Sequence, residues 1–395
     1  MACRRFLSWQ SGVLLAILLG CGPAPEPAEA PAEEPIGQAS AVRAEFQEIC
    51  RRLKAGDERF YGEKPLHDLE AKLAGNDLDA EQRMVAQALL GRELLEWGRP
   101  EEAIEILQQA REGAAALGVS GTFPLEILGT QAAAHLQAAE DANCILHHTT
   151  ASCLLPVEPS AVHALPEHAR RAGDLYAEFL RQVPGSAVAA WLLDLSRMVS
   201  GDYPQGVPAA ARLPPDALVS PVPFTRWRDR GPELGINVVD LAGGAVLDDF
   251  DGDGHLDLIT STADPCDSLK AFRGDGRGGF ENVTARWGLD EQLGGLNLIH
   301  GDYDGDGRLD LLVLRGAWMF EDGRIRNSLL RNELGPAAGR FEDRTRQAGL
   351  AEPAWPTQTA AWADFDGDGD LDLYVGNEGQ PPDFAPSNLF RNRGD

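Results

Sequence analysis

Twelve aspartates, set at fixed intervals in three short runs, are the residues of this 395-residue chain best placed to do chemistry. Asp249, Asp251, Asp253 and Asp257 form the first run, Asp302, Asp304, Asp306 and Asp310 the second, and Asp364, Asp366, Asp368 and Asp372 the third. Each run places carboxylates at positions 1, 3, 5 and 9 of a loop with glycine at position 6. Four carboxylates so close together repel one another unless a hard cation sits among them, and alternating oxygen donors around a turn glycine are how a chain wraps Ca²⁺. A flexible loop with many oxygens suits Ca²⁺ better than Mg²⁺, which holds to octahedral geometry and retained water. One such run could be a solvated turn, but three in similar flanks are a repeat. About three Ca²⁺ sites are expected.

The flanks determine which elements hold the loops. An EF-hand would place glutamate at position 12, between helices. Here position 12 is Thr260, Val313 and Val375. Short apolar runs with β-forming residues lie on both sides, as in Leu309 to Leu314 and Leu371 to Val375. Each loop is therefore expected to join two strands of a hairpin. No Gly-x-Ser-x-Gly, His-Glu-x-x-His or phosphate-cradling glycine loop occurs, so no catalytic constellation is assigned. His300, beside the second loop, reads as a hairpin surface histidine rather than a base.

The self-similarity extends past the loops. Phe280-Glu-Asn-Val-Thr284 recurs as Phe341-Glu-Asp-Arg-Thr345, and Ser328-Leu-Leu-Arg-Asn332 recurs as Ser387-Asn-Leu-Phe-Arg-Asn392. The runs start 53 and then 62 residues apart, a period that suits a four-stranded propeller blade. Residues 240–395 resemble the FG-GAP or VCBS repeats of integrin α-subunit propellers, and more closely the bacterial branch similar to cartilage acidic protein. Asn388-Leu-Phe-Arg-Asn392 and Phe341-Glu-Asp-Arg-Thr345 carry that closer likeness. The resemblance implies that the twelve aspartates are ligands that stiffen each blade. It also puts His255, Arg308 and Asp370 at position 7, where the backbone carbonyl would coordinate and the side chain is free to vary. Two units are complete and a third stops at Arg393-Gly394-Asp395, short of the four to eight blades of a closed ring. The chain therefore reads as a truncated form, its terminal Arg-Gly-Asp accounted for by the repeat and not by adhesion.

The N-terminal half is of a different kind. Residues 1–21 read as an export signal: Arg4 and Arg5, a short apolar core from Val13 to Leu19, then Leu18-Leu19-Gly20-Cys21, which resembles a lipobox with Cys21 as the lipidation site. An ordinary secretory signal is the alternative. Residues 22–40, rich in Pro, Ala and Glu, form a tether. Residues 41–215 carry alanine and leucine at helical spacing. Ala86 to Ala110, turning at Gly98, resembles a tetratricopeptide unit, and a degenerate second unit is placed through Trp191 and Gly201 to Pro204. An ordinary helical domain stays open as the other reading. Residues 216–239 are a linker and residues 240–395 the blades. Of the cysteines, Cys144 and Cys153 are a possible disulfide, with inert thiols or a metal site near His147, His148 and His163 as alternatives.

The formal charge is −27, and the loop aspartates supply nearly half of it. Such a surface repels nucleic acid and anionic headgroups, leaving the lipid anchor as the expected membrane contact. The expected fold is multidomain, α then β: a helical-hairpin, tetratricopeptide-like domain followed by a partial β-propeller of calcium-binding four-stranded blades. The expected function is a non-catalytic, exported, membrane-anchored binding module, periplasmic, outer-membrane or cell-surface, that presents loops to a protein or glycan. The alternatives are the propeller part of a secreted hydrolase and an assembly scaffold using the helical domain.

Overall fold

The computed structural model describes residues 40–394 except 59, 146–150, 153–154, 156, 215, 219–221, 223–224, 226, 336–337 and 380–384. The segment expected to be an export signal, Cys21, nearly all of the expected tether, His147, His148 and Cys153 lie outside the described residues. Among the described residues no helix is long and apolar enough to cross a membrane.

Helices come first, then antiparallel sheets. Among the described residues seven helices run through α1 (Ala41–Ala55), α2 (Lys64–Ala74), α3 (Ala80–Glu96), α4 (Pro100–Ala116), α5 (Thr122–Glu140), α6 (Glu167–Gln182) and α7 (Ala187–Val199), and the short α8 (Gly231–Leu234) precedes the first strand. From α2 to α7 each helix packs on the next. Local chemistry sets their ends. Asp79 and Gln82 form a capping box at the start of α3, Pro100 opens α4, and the Ser186 hydroxyl caps α7 by accepting from Ala189 N; such caps satisfy orphan N–H groups. Small residues set the spacing of the α3–α4 hairpin. A Cβ on Gly91 would stand 2.4 Å from Leu107 Cγ, so only glycine lets the two helices approach this closely. Beyond α7, residues 200–214 form turns and no helix. The second hairpin placed through Trp191 and Pro204 therefore lacks its second helix.

Among the described residues the sheets are three meanders. β1 (Ala242–Asp248), β2 (Asp257–Thr262), β3 (Lys270–Gly274) and β4 (Phe280–Asn282) form the first; β5 (Asn297–Gly301), β6 (Asp310–Leu314), β7 (Ser328–Asn332) and β8 (Phe341–Asp343) the second; β9 (Thr357–Ala363), β10 (Asp372–Asn377) and β11 (Asn388–Phe390) the third. β1 lies against β5, and β5 against β9. Gly244 permits the first approach, since a Cβ there would meet Asn297 Oδ1 at 2.5 Å and Leu298 N at 2.6 Å. Val246, Ile259, Leu311 and Phe341 belong to the core that joins the first two sheets. Leu312, Leu329, Leu373 and Val375 fill the core between the second and third.

One helix departs from the expected partition at residue 215. α1 does not belong to the helical stack; it packs on the sheets. Phe46 and Leu53 are buried with Leu293, Met319 and Ile325. The Phe46 ring lies under two guanidiniums, 4.1 Å from that of Arg315 and 4.7 Å from that of Arg326. Glu45 accepts from Arg326 Nε and Nη2 at 3.0 and 3.1 Å and from Arg346 Nη2 at 3.0 Å. A disulfide from Cys50 to Cys266 fastens the helix to the β2–β3 connection. These contacts lie on the β2–β3, β4–β5, β6–β7 and β8–β9 connections, at the strand ends opposite the acidic loops.

Candidate metal loops

The three acidic loops fold alike. Each joins the first strand of its sheet to the second, and the last pairs are Asp248 with Asp257, Gly301 with Asp310, and Ala363 with Asp372. The position 1 carboxylate organises the turn. Asp249 accepts from Asp253 N at 3.1 Å and Gly254 N at 2.8 Å. Asp302 accepts from Asp306 N and Gly307 N at 3.0 and 2.9 Å, and Asp364 from Asp368 N and Gly369 N at 3.1 and 3.0 Å. Glycine is needed at position 4 as well as 6: φ is 72° and 87° at Gly252 and Gly254, with matching values in the other two loops, a region that side chains rarely adopt.

The position 9 aspartates are almost wholly buried, and each ties two strands together. Asp257 accepts from Phe250 N at 3.1 Å and Gly274 N at 2.9 Å. Asp310 accepts from Tyr303 N and Asn332 N at 3.1 and 2.8 Å, and Asp372 from Phe365 N and Asn392 N at 3.0 and 2.8 Å. Burial raises the Asp257 carboxyl, against the pull of those N–H groups and with help from Asp251 and Asp253. Burial pushes Asp310 up to about 7, with Asp304 and Asp306 adding to it.

Carboxylates crowded in this way are the environment that a cation relieves. One oxygen from each of Asp249, Asp251 and Asp257 lies within 4.8 Å of the others, and the same holds for Asp302, Asp304 and Asp306 and for Asp364, Asp366 and Asp372. A single Ca²⁺ with ligands at about 2.3–2.6 Å could span such a set. All the donors are hard oxygens, so the residues fit that ion. Asp253, Asp310 and Asp368 fall outside these sets, although the spacing had marked them as ligands.

Position 7 is less free than expected. Arg308 donates from Nε to Asn332 O at 2.6 Å and reaches Asp306 at 2.5 Å and Glu333 at 3.2 Å. The His255 ring covers Gly276, where an added Cβ would stand 2.4 Å from it. Asp370 takes the equivalent place against Gly394. All three side chains therefore pack on the turn or chain that follows the third strand, which explains why bulk is tolerated there in different forms.

Two recurring residues have roles that the sequence pattern alone does not assign. Arg273, Arg331 and Arg391, each near the end of a third strand, bind the position 3 and 5 carboxylates. Asn332 and Asn392, the residues after two of these arginines, reach the preceding sheet. Asn332 Nδ2 donates to Phe250 O at 2.8 Å, and Asn392 Nδ2 to Tyr303 O at 2.7 Å. The repeated Arg-Asn pair was the available signal.

The other candidates lie elsewhere. His300 Nε2 is 3.2 Å from Asp248 Oδ2, and its ring meets that of Phe250 edge-on. Cys144 Sγ lies 3.6 Å from His163 Nε2. Cys153, its expected disulfide partner, is outside the described residues, and the bridge that the described residues contain is Cys50–Cys266. In the helical stack, an open groove is lined by Glu105, Gln108, Gln131, His135 and Arg171.

Antiparallel sheets laid side by side, each with an acidic loop in its first hairpin, define a class of repeat proteins. The FG-GAP-like repeat family matches residues 249–313, from position 1 of the first acidic loop through most of β6. The match spans one period of the repeat and includes both of the first two acidic loops. Comparison with curated proteins finds no match.

Proposed function

We propose that the chain is a non-catalytic, calcium-stabilised binding module, exported and lipid-anchored through Cys21, whose sheets present loops to a protein or glycan partner. The use of the carboxylates carries this reading. At positions 1 and 9 they bind backbone N–H groups of their own loop and of the adjoining strand, the arrangement of a structural ion site rather than of groups turned toward a substrate. The match to an FG-GAP-like repeat supports the same reading, and a disulfide between α1 and the first sheet suits an oxidising compartment. The loop from Arg315 to Asn327 supports partner presentation: Trp318 and Phe320 are half exposed and have φ of 70° and 50°, a conformation that bulky residues hold only under constraint and that clusters at binding sites.

Calcium titration with thermal unfolding tests the reading. Ca²⁺ at about 100 times Kd should stabilise the native state by roughly 2.7 kcal/mol per site. Asp251→Ala, Asp304→Ala and Asp366→Ala should each remove one site. An unchanged Tm on adding excess EDTA would reject it.

The groove in the helical stack favours a second reading, an assembly scaffold in which tetratricopeptide-like hairpins hold a peptide. Loss of partner capture on deleting residues 64–199, with Ca²⁺ binding retained, would favour the scaffold over the blades.

A further inference from the structure

Each acidic loop has an arginine from the third strand of its own sheet clamped on its outer side. Arg273 binds Asp251 Oδ2 through Nε at 2.5 Å and Asp253 Oδ2 through Nη2. Arg331 binds Asp304 Oδ2 at 2.5 Å and Asp306 Oδ2 at 2.9 Å. Arg391 binds Asp366 Oδ2 at 2.6 Å and Asp368 Oδ2 at 2.9 Å. The pattern is the same three times: Nε to position 3, Nη2 to position 5, always to Oδ2. The opposite oxygens face the loop. Asp251 Oδ1 accepts from Asp253 N and Asp253 Oδ1 from His255 N, and Asp304 and Asp306 repeat this.

Strand register, not sequence distance, places these arginines. Each follows the third-strand residue paired with position 10 of its loop: Phe272 opposite Leu258, Leu330 opposite Leu311, and Phe390 opposite Leu373. The connections between second and third strands differ in length, yet the guanidinium arrives at the same pair of carboxylates. A planar fork suits two carboxylate oxygens.

We infer that Arg273, Arg331 and Arg391 are resident counter-cations, positioning residues that hold the acidic loops folded without metal and thereby lower their affinity for Ca²⁺. The inference rests on the calcium reading above. A fixed positive charge offsets carboxylate repulsion in the metal-free loop, joined in the second loop by Arg308, which also reaches Asp306. Once a divalent cation enters, the same charge opposes it. The guanidinium therefore stabilises the empty loop more than the filled one, and by linkage weakens binding.

The test is Arg331→Gln in the full chain, with Arg391→Gln at the more exposed loop as a second variant and Arg331→Lys as a charge-retaining control. Tm is read in EDTA and in saturating Ca²⁺, and affinity by calorimetry with Ca²⁺ alone. In EDTA the Gln variants should melt below the wild type. Their Tm gain on adding Ca²⁺ should exceed the wild-type gain, and one site should bind roughly threefold tighter or more, the factor that a unit charge several ångströms away gives even in a water-like dielectric. Arg331→Lys should lie between. Equal Tm losses in EDTA and Ca²⁺, or weaker binding in the Gln variants, would overturn the inference. A wild type that neither binds Ca²⁺ nor gains Tm would remove the calcium reading itself, a result recognisable without any variant.

Discussion

The side-chain amide of Asn332 donates to the carbonyl of Phe250, 82 residues earlier in the chain and in the acidic loop of the preceding sheet. Asn392 does the same to Tyr303 one sheet further on. Position 2 of the first two loops is thus tied to the next sheet by an asparagine that the next sheet supplies. In the first sheet the corresponding residue is Gly274, whose backbone N–H alone serves, on Asp257.

Asn332→Ala should therefore cost about 1–3 kcal/mol, because it leaves the buried carbonyl of Phe250 and the partly buried one of Leu309 without this donor. Asn392, being more exposed, should cost less. Urea unfolding monitored by tryptophan fluorescence checks both, and equal small losses would contradict the staple.

The Cys50–Cys266 bridge closes a loop of 216 residues. Its removal by Cys50→Ser with Cys266→Ser should lower stability by about 2–5 kcal/mol. Non-reducing peptide mapping should recover the two cysteines in one linked pair.

Glu45 is the acidic partner through which α1 meets Arg326, a guanidinium only 5% exposed. Its carboxyl is lowered overall: burial raises it, and the hydrogen bonds and charges of Arg326 and Arg346 outweigh that. Glu45→Ala leaves Arg326 with Asp343 at 3.0 Å as its remaining acidic partner. The cost should be about 1–3 kcal/mol, below that of breaking a fully buried pair. Proteolysis near α1 should quicken in parallel, and an unchanged cleavage rate would argue against docking through this pair.

The helical stack should lose stability in mild acid. Burial, together with the charges of His168 and Arg171, lowers His135 to about 4. Its Nδ1 lies 3.0 Å from that of His168, whose Nε2 faces Glu101 at 3.3 Å. Unfolded, the imidazole binds a proton near pH 6.5; folded, it resists down to about 4. The unfolded state therefore holds more protons across that window, and stability falls as pH drops through it, by up to roughly 3 kcal/mol. Circular dichroism melts from pH 7 to pH 4 should show the slope, and His135→Gln should flatten it.

Sequence legibility followed the range of the forces involved. The acidic loops and their hairpin setting were readable because position 1, the turn glycines and the flanking strands lie within about a dozen residues of one another. The α3–α4 hairpin was readable for the same reason, through Gly91, Gly98 and Pro100. The docking of α1 was not. Its helical periodicity marks an apolar face but not what covers it, and Phe46 meets Arg315 and Arg326 only in three dimensions. The Cys50–Cys266 pairing spans too much chain for spacing to suggest it. The arginine clamps were hidden because register aligns them across connections of unequal length, although the letters Arg-Asn were visible twice.

Fastening α1 to the first sheet also defines a path for mechanical force. A pull on the chain ahead of α1 enters that helix and leaves it at Cys50, crossing one sulfur–sulfur bond into the connection at Cys266. The covalent route bypasses every residue between them. The helices from α2 to α7 hang from this path as a slack side branch and keep their shape while tension runs into the sheets. Drag on the sheets would then leave the groove around His135 unstretched.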